Sequence, residues 1–195
     1  MSDWQLVKAD SLQDAQQKIV AAFKSIQAES FNDPLLGGWG LNPNLKVEVR
    51  GLKRIDDWLT GFVLTPWMLA QLYIPLQAPK WPLDPDWTAE KREKEPYVVI
   101  GPQQQLEFGG QRLQAFLNYH PQLGHYYLQP LVQSMAQYAD NAAAFEAWAG
   151  VIRFRQETYA RILAEQEEKE KKALENAEND AKAVSRRDFL RRWRS

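Results

Sequence analysis

The stretch Trp58-Leu59-Thr60-Gly61-Phe62-Val63-Leu64-Thr65-Pro66-Trp67-Met68-Leu69-Ala70-Gln71-Leu72-Tyr73-Ile74 holds two apolar runs rich in β-branched, aromatic and large aliphatic residues. Runs of that composition read as strands. Proline removes a ladder donor, so the Leu64-Thr65-Pro66 step predicts a turn or a bulge between one strand over Trp58–Thr65 and another over Trp67–Ile74. Upstream, Leu45–Arg50 alternates with period two, and Gly51 marks its expected end. Downstream, Tyr97–Ile100, Gln104–Phe108, Gln111–Tyr119 and His125–Gln129 read as further strands, with Gly109-Gly110 as a hairpin turn.

Helical spacing flanks this block. Leu12, Ala15, Ile19, Ala22, Phe23 and Ile26 share one face of a helix over Ser11–Ser30, with Ser11 as its N-cap and Asp14 at its positive end. From Leu131 onward the pattern again turns helical, and Asp140 or Asn141 is placed to cap a break between two helices. The expected fold is therefore α+β: a small, mostly antiparallel sheet packed by an N-terminal helix and C-terminal helices. Between the strands, Pro75–Pro96 holds five of the eleven prolines together with Trp81 and Trp87, and reads as a long loop.

After Leu163 the chain changes character. Ala164–Lys182 carries Glu165–Lys169, Glu167–Lys171 and Glu168–Lys172, each acid four residues before its base, an order that supports a solvated single helix. Three parts are expected: residues 1–163 as the globular domain, 164–184 as a charged helical spacer, and 185–195 as a basic tail. That tail has five arginines against one aspartate. Within it Ser185-Arg186-Arg187-Asp188-Phe189-Leu190 nearly reproduces the twin-arginine export motif, at the opposite end of the chain from where such a signal operates and without the apolar segment that follows one. Phe189, Leu190 and Trp193 also fall on one helical face among the arginines, which suits weak peripheral contact with an anionic membrane surface.

Composition narrows the function classes. A hydrophobic fraction of 45% supports a packed core, and a formal charge of −1 argues against nucleic acid as a partner. The absence of cysteine removes disulfides, thiol nucleophiles, zinc ribbons and Fe–S ligation. Neither a basic leader followed by an apolar stretch nor an apolar run of spanning length is visible, so a cytoplasmic location is expected. His120 and His125 lack carboxylate company and read as histidines at strand ends; no metal or other cofactor is expected. Ser134 has no nucleophile-elbow context, and no acid–base pair of carboxylates can be picked out. Catalysis is not expected. Trp67, Tyr73, Trp81 and Trp87, framed by proline, remain as anchors for a protein partner or, equally, as rings completing a small core.

Thr60-Gly61-Phe62-Val63-Leu64-Thr65-Pro66-Trp67-Met68-Leu69, followed by Ile74-Pro75 and Trp81-Pro82, resembles the signature of the HybE family of [NiFe]-hydrogenase assembly chaperones, in the form without a rubredoxin domain. Leu131–Asp140 and the alanine-rich segment after it resemble a second family segment, with Gln129-Pro130-Leu131 where Ser-Pro-Leu is usual. The resemblance spans Ser11 to Leu163. It implies a cytoplasmic chaperone that binds the large or small subunit of an uptake hydrogenase, or the small subunit's twin-arginine signal, and delays export until the cofactors are inserted. The partner-binding residues it suggests are Thr65, Pro66, Trp67, Met68, Leu69, Tyr73, Trp81 and Pro82, with an extended partner segment adding to a sheet edge at the Trp67 strand. The tail motif Ser185, Arg186, Arg187, Phe189 and Leu190 adds the twin-arginine export receptor as a candidate partner. A permanent scaffold subunit of the hydrogenase and an adaptor tethered to the membrane surface by its tail are the alternatives.

Overall fold

Leucine, valine and aromatic residues fill both faces of the central hairpin, and every residue of its two strands is buried. In this computed structural model the described residues are 3–32, 41–98, 100–108 and 111–192, with backbone alone for 30–32, 111 and 177–192. The hairpin consists of β2 (Trp58–Leu64) and β3 (Leu69–Pro75), paired from Trp58↔Pro75 to Leu64↔Leu69. Before it runs β1 (Glu48–Ile55); after it come β4 (Gln103–Phe108), β5 (Gln111–His120) and β6 (Gly124–Val132). All pairs are antiparallel, in the order β1-β2-β3-β6-β5-β4. The chain thus leaves β3, crosses to the far edge to start β4, and returns so that β6 closes against β3. The crossing segment carries Trp81, a 3₁₀ turn at Pro85–Trp87 and the short helix α2 (Ala89–Arg92).

One sheet face is covered by α1 (Leu12–Asn32). Ala15, Ile19, Ala22, Phe23 and Ile26 are fully buried against Leu59, Val63, Ala70, Leu72, Ile74, Tyr126 and Leu128, each larger side chain contributing about 1.5–3 kcal/mol. Leu12, expected on this face, is instead 47% exposed, because it sits in the first turn beyond the reach of the sheet. Ser11 does cap the helix: its Oγ accepts from the Asp14 N–H at 3.1 Å. The opposite face receives Phe62, Leu64 and Leu69, packed with Met135, Tyr138, Ala144 and Phe145.

Several boundaries differ from the sequence reading. Gly51 does not end β1. It lies inside the strand with φ 63°, a value open to glycine, where the register shifts between Arg50 and Lys53 as a bulge. Tyr97, Val98 and Ile100 form no strand. Leu131 and Val132 finish β6 rather than beginning a helix, and the helix α3 spans only Asn141–Ala147. Asp140 is its N-cap, accepting from the Ala143 N–H at 2.8 Å, and residues 133–140 just ahead of it are not helical. The turn expected at Gly109-Gly110 lies outside the described residues.

Contacts divide the chain into two units, Met1–Ile152 and Arg153–Ser195. Helix α4 (Ala149–Arg192) begins in the first and supplies the described backbone of the second. In the second unit Lys172 reaches Glu168 at 2.6 Å, while Phe154 and Leu174 are 71% and 67% exposed.

Candidate functional site

Thr65, Pro66, Trp67 and Met68 form the tight connection between β2 and β3. The Thr65 N–H donates to the Met68 carbonyl at 2.8 Å, and the Thr65 Oγ1 accepts from the Met68 and Trp67 N–H groups at 3.0 and 3.3 Å. A threonine hydroxyl so placed satisfies turn donors that the proline-started backbone leaves open. Residues Thr65, Met68 and Leu69 are buried to within about a percent, and Trp67 is 9% exposed, beside Phe23 at 6.5 Å between ring centroids. The Trp67 indole Nε1 is buried with no hydrogen-bond partner among the described residues. A further residue ties the turn down. Asn42 donates its N–H to the Pro66 carbonyl at 2.9 Å, and its Nδ2 donates to the Met135 and Tyr138 carbonyls at 2.9 and 2.6 Å. Asn42 thereby links the two segments that carried the family resemblance. Nothing in the sequence singled it out beyond its place in an Asn-Pro-Asn turn.

Tyr73 points to the opposite sheet face, at 1% exposure, with its ring edge-on to Phe108 at 5.1 Å and its hydroxyl 3.4 Å from Gln129 Oε1. Trp67 and Tyr73 therefore belong to different faces of the sheet and share no surface. The idea of a free sheet edge at the Trp67 strand is also corrected. β3 is an inner strand, hydrogen-bonded to β2 on one side and β6 on the other, so no extended segment can add there.

The structure brings other aromatics together around Trp81. This half-buried ring stacks on Trp58 at 6.3 Å with 17° between planes; its Nε1 donates to the Tyr127 hydroxyl at 3.1 Å, which donates in turn to Gln104 Oε1 at 3.1 Å. Its carbonyl accepts from Trp4 Nε1 at 3.3 Å. Pro82, next along, is exposed. Trp87 lies half-buried beneath the Arg92 guanidinium, 4.7 Å from its ring centroid, a cation–π geometry.

His125 fastens this loop. Its Nδ1 accepts from the Gln5 N–H at 2.8 Å, which places the proton on Nε2, and Nε2 lies 2.8 Å from the Trp87 carbonyl it donates to. Its own N–H donates to the Gln5 carbonyl at 2.8 Å. Gly124 lets the N-terminal segment come this close: φ is 69°, and a Cβ would stand 2.3 Å from the Gln5 oxygen. Burial pushes the His125 imidazole below its ordinary pKa, opposed by the two backbone hydrogen bonds; burial lowers His120 likewise, opposed by Glu29. Both histidines end strands, as expected, but His125 is also a fully buried clasp. Among the described residues no three His, Cys, Asp or Glu side chains converge as metal ligands.

A tight, hydrogen-bonded turn between strands, a tryptophan–proline step on the crossing loop, and the Asn42 link to residues 135–138 form one scaffold, and a family model covers it. The model described as [NiFe]-hydrogenase assembly chaperone, HybE, matches residues 14–192. This chain belongs to the HybE family. HybE proteins are non-catalytic chaperones of [NiFe]-hydrogenase assembly. A solved structure, the solution structure of HybE from Escherichia coli, aligns with a TM-score of 0.44 at 20% identity, over 70% of this chain and 72% of that one. No curated protein matches the sequence. For this HybE-family chain no described helix is long and apolar enough to cross a membrane. The tail residues Ser185, Arg186, Arg187, Phe189 and Leu190 lie on the helical backbone of α4, and their side chains lie outside the described part.

Proposed function

We propose that this chaperone acts in the cytoplasm on the subunits of an uptake [NiFe] hydrogenase, holding the large or small subunit, or the small subunit's twin-arginine signal, until cofactor insertion is complete. Trp81 and Pro82 are the contact point. The carrying observation is the partial exposure of Trp81 on a loop held rigid by Trp58, Tyr127, Trp4 and, through Trp87, His125. A ring fixed in this way loses little entropy on binding, the condition that makes tryptophan a strong interface anchor. Tyr73 lies near the end of β3 from which the loop departs, and Thr65–Leu69 close the opposite end of the same hairpin.

Trp81→Ala should leave the protein folded and weaken capture of hydrogenase subunits by about thirtyfold, the loss that goes with an anchor worth at least 2 kcal/mol. Trp67→Ala should lower stability and leave the affinity of the folded fraction unchanged. Full binding by folded Trp81→Ala protein sinks the assignment. A permanent scaffold role would instead leave the chain in the mature enzyme.

A further inference from the structure

The two edges of the sheet are built differently. Along β1 the edge is guarded: a bulge at Gly51 breaks the register, Arg50, Lys53 and Arg54 crowd it with charge, and Gln16 Nε2 donates to the Val49 carbonyl at 3.4 Å. Just ahead of it the Asn141 side chain takes both the N–H and the carbonyl of Lys46 at 2.9 Å. Bulges, charge and covering side chains are the devices by which proteins prevent edge-to-edge pairing. Among the described residues β4 has no bulge and no covering side chain, and its one charge is Glu107. Its six residues pair with β5 in unbroken register from Gln103↔Phe116 to Phe108↔Gln111, and it contains no lysine, arginine or proline.

The hydrogen-bond phase shows which groups face outward. The Leu117 N–H donates to the Pro102 carbonyl at 2.9 Å, so the even-numbered residues of this strand bond to β5. Alternation in an antiparallel ladder then turns the N–H and C=O groups of Gln103, Gln105 and Glu107 away from β5. Their side chains are exposed as well. Gln103 Nε2 meets Gln114 Oε1 at 2.7 Å, and Glu107 sits 3.8 Å from Arg112 on a face that stays open.

We infer that the β4 edge pairs with the β4 edge of a second copy of this chain, antiparallel about a two-fold axis at Gln105, giving one sheet continuous through both copies. This goes beyond the chaperone reading and does not rest on it. Only outward-facing residues can exchange backbone bonds, and the register centred on Gln105 is the one that uses all three from each copy. It sets Gln103 opposite Glu107, so an amide donor meets a carboxylate, and Gln105 opposite Gln105; no like charges meet, as strand pairing requires. A register centred on Glu107 would oppose two carboxylates. The paired stretch is about 17 Å long at 3.4 Å per residue, which suits a weak, reversible dimer.

The test is sedimentation of the full chain from about 1 to about 300 µM, a range fitted to weak association. The expected result is a mass rising toward twice that of the chain. Gln105→Lys places two lysines face to face at the axis and should shift the midpoint at least tenfold to higher concentration, with an unchanged circular dichroism spectrum. In Gln105→Cys the cysteine would be the chain's only one, and mild oxidation should yield a disulfide-linked dimer. A monomer at every concentration overturns the inference, as does a dimer insensitive to Gln105→Lys or a Gln105→Cys protein that stays unlinked.

Discussion

Replacing His125 by Phe keeps a ring in the pocket and removes only its two nitrogens. The imidazole is fully buried, between Trp4 at 5.2 Å and Tyr119 at 5.0 Å, so a phenyl of similar outline can occupy the space. What disappears is the acceptor for the Gln5 N–H and the donor to the Trp87 carbonyl, both at 2.8 Å. Each backbone group left unpaired costs about 1–3 kcal/mol, so the variant should lose about 2–6 kcal/mol. Against a typical total of about 5–15 kcal/mol that is a large fraction. The backbone bond from the residue 125 N–H to Gln5 remains, so the N-terminal segment stays near its place while the Trp81–Trp87 loop loosens. Urea unfolding followed by tryptophan emission measures both effects: a lower midpoint, and native-state emission shifted toward that of solvated indole. A loss under about 1 kcal/mol with unchanged native emission would mean that the loop is held by ring packing alone, and the clasp would be refuted.

Stability should also depend on pH through the two histidines. Burial lowers both folded-state pKa values below the ordinary 6.5, so the unfolded chain binds more protons below that pH; their contribution is complete above about pH 6.5 and is lost as the pH falls toward the folded-state values. The urea midpoint should hold from pH 8 to about 7 and decline below about 6.5, less steeply in His125→Phe; a flat profile down to pH 5 would contradict the burial of both rings. For the tail, Arg186→Lys with Arg187→Lys keeps the charge and removes the planar guanidinium fork. If the motif mimics a twin-arginine signal, the doubly substituted chain should compete less well against a genuine signal peptide; unchanged competition removes mimicry, and salt-sensitive binding to anionic vesicles would favour the membrane reading.

Local signals in the sequence were legible where one face alone had to be satisfied. Ile19, Phe23 and Ile26 announce α1 because a helix against a sheet needs that spacing, and Thr65-Pro66 announces the β2–β3 turn because proline cannot continue a ladder. Gly51 misled because the same left-handed backbone serves a strand end and a bulge, and only the position of β2 decides between them. Leu131 and Val132 misled because an apolar pair ahead of an alanine-rich segment fits a helix as well as a buried strand end. The pairing of β3 with β6, which makes β3 an inner strand, joins residues far apart in sequence and leaves no local trace. For the same reason the sequence could not place the candidate residues on the fold. Thr65–Leu69 form an interior turn, Tyr73 faces the other side, and only Trp81 and Pro82 reach the surface.

On the proposed function, the chain holds hydrogenase subunits through Trp81 only until their cofactors are in. Isothermal titration of the protein, wild type and Trp81→Ala, against cofactor-free and cofactor-loaded subunits tests it most directly. The expected result is binding of the cofactor-free subunit, weakened about thirtyfold by Trp81→Ala, and little binding of the loaded one. Equal affinity for both forms, or binding indifferent to Trp81, would contradict it.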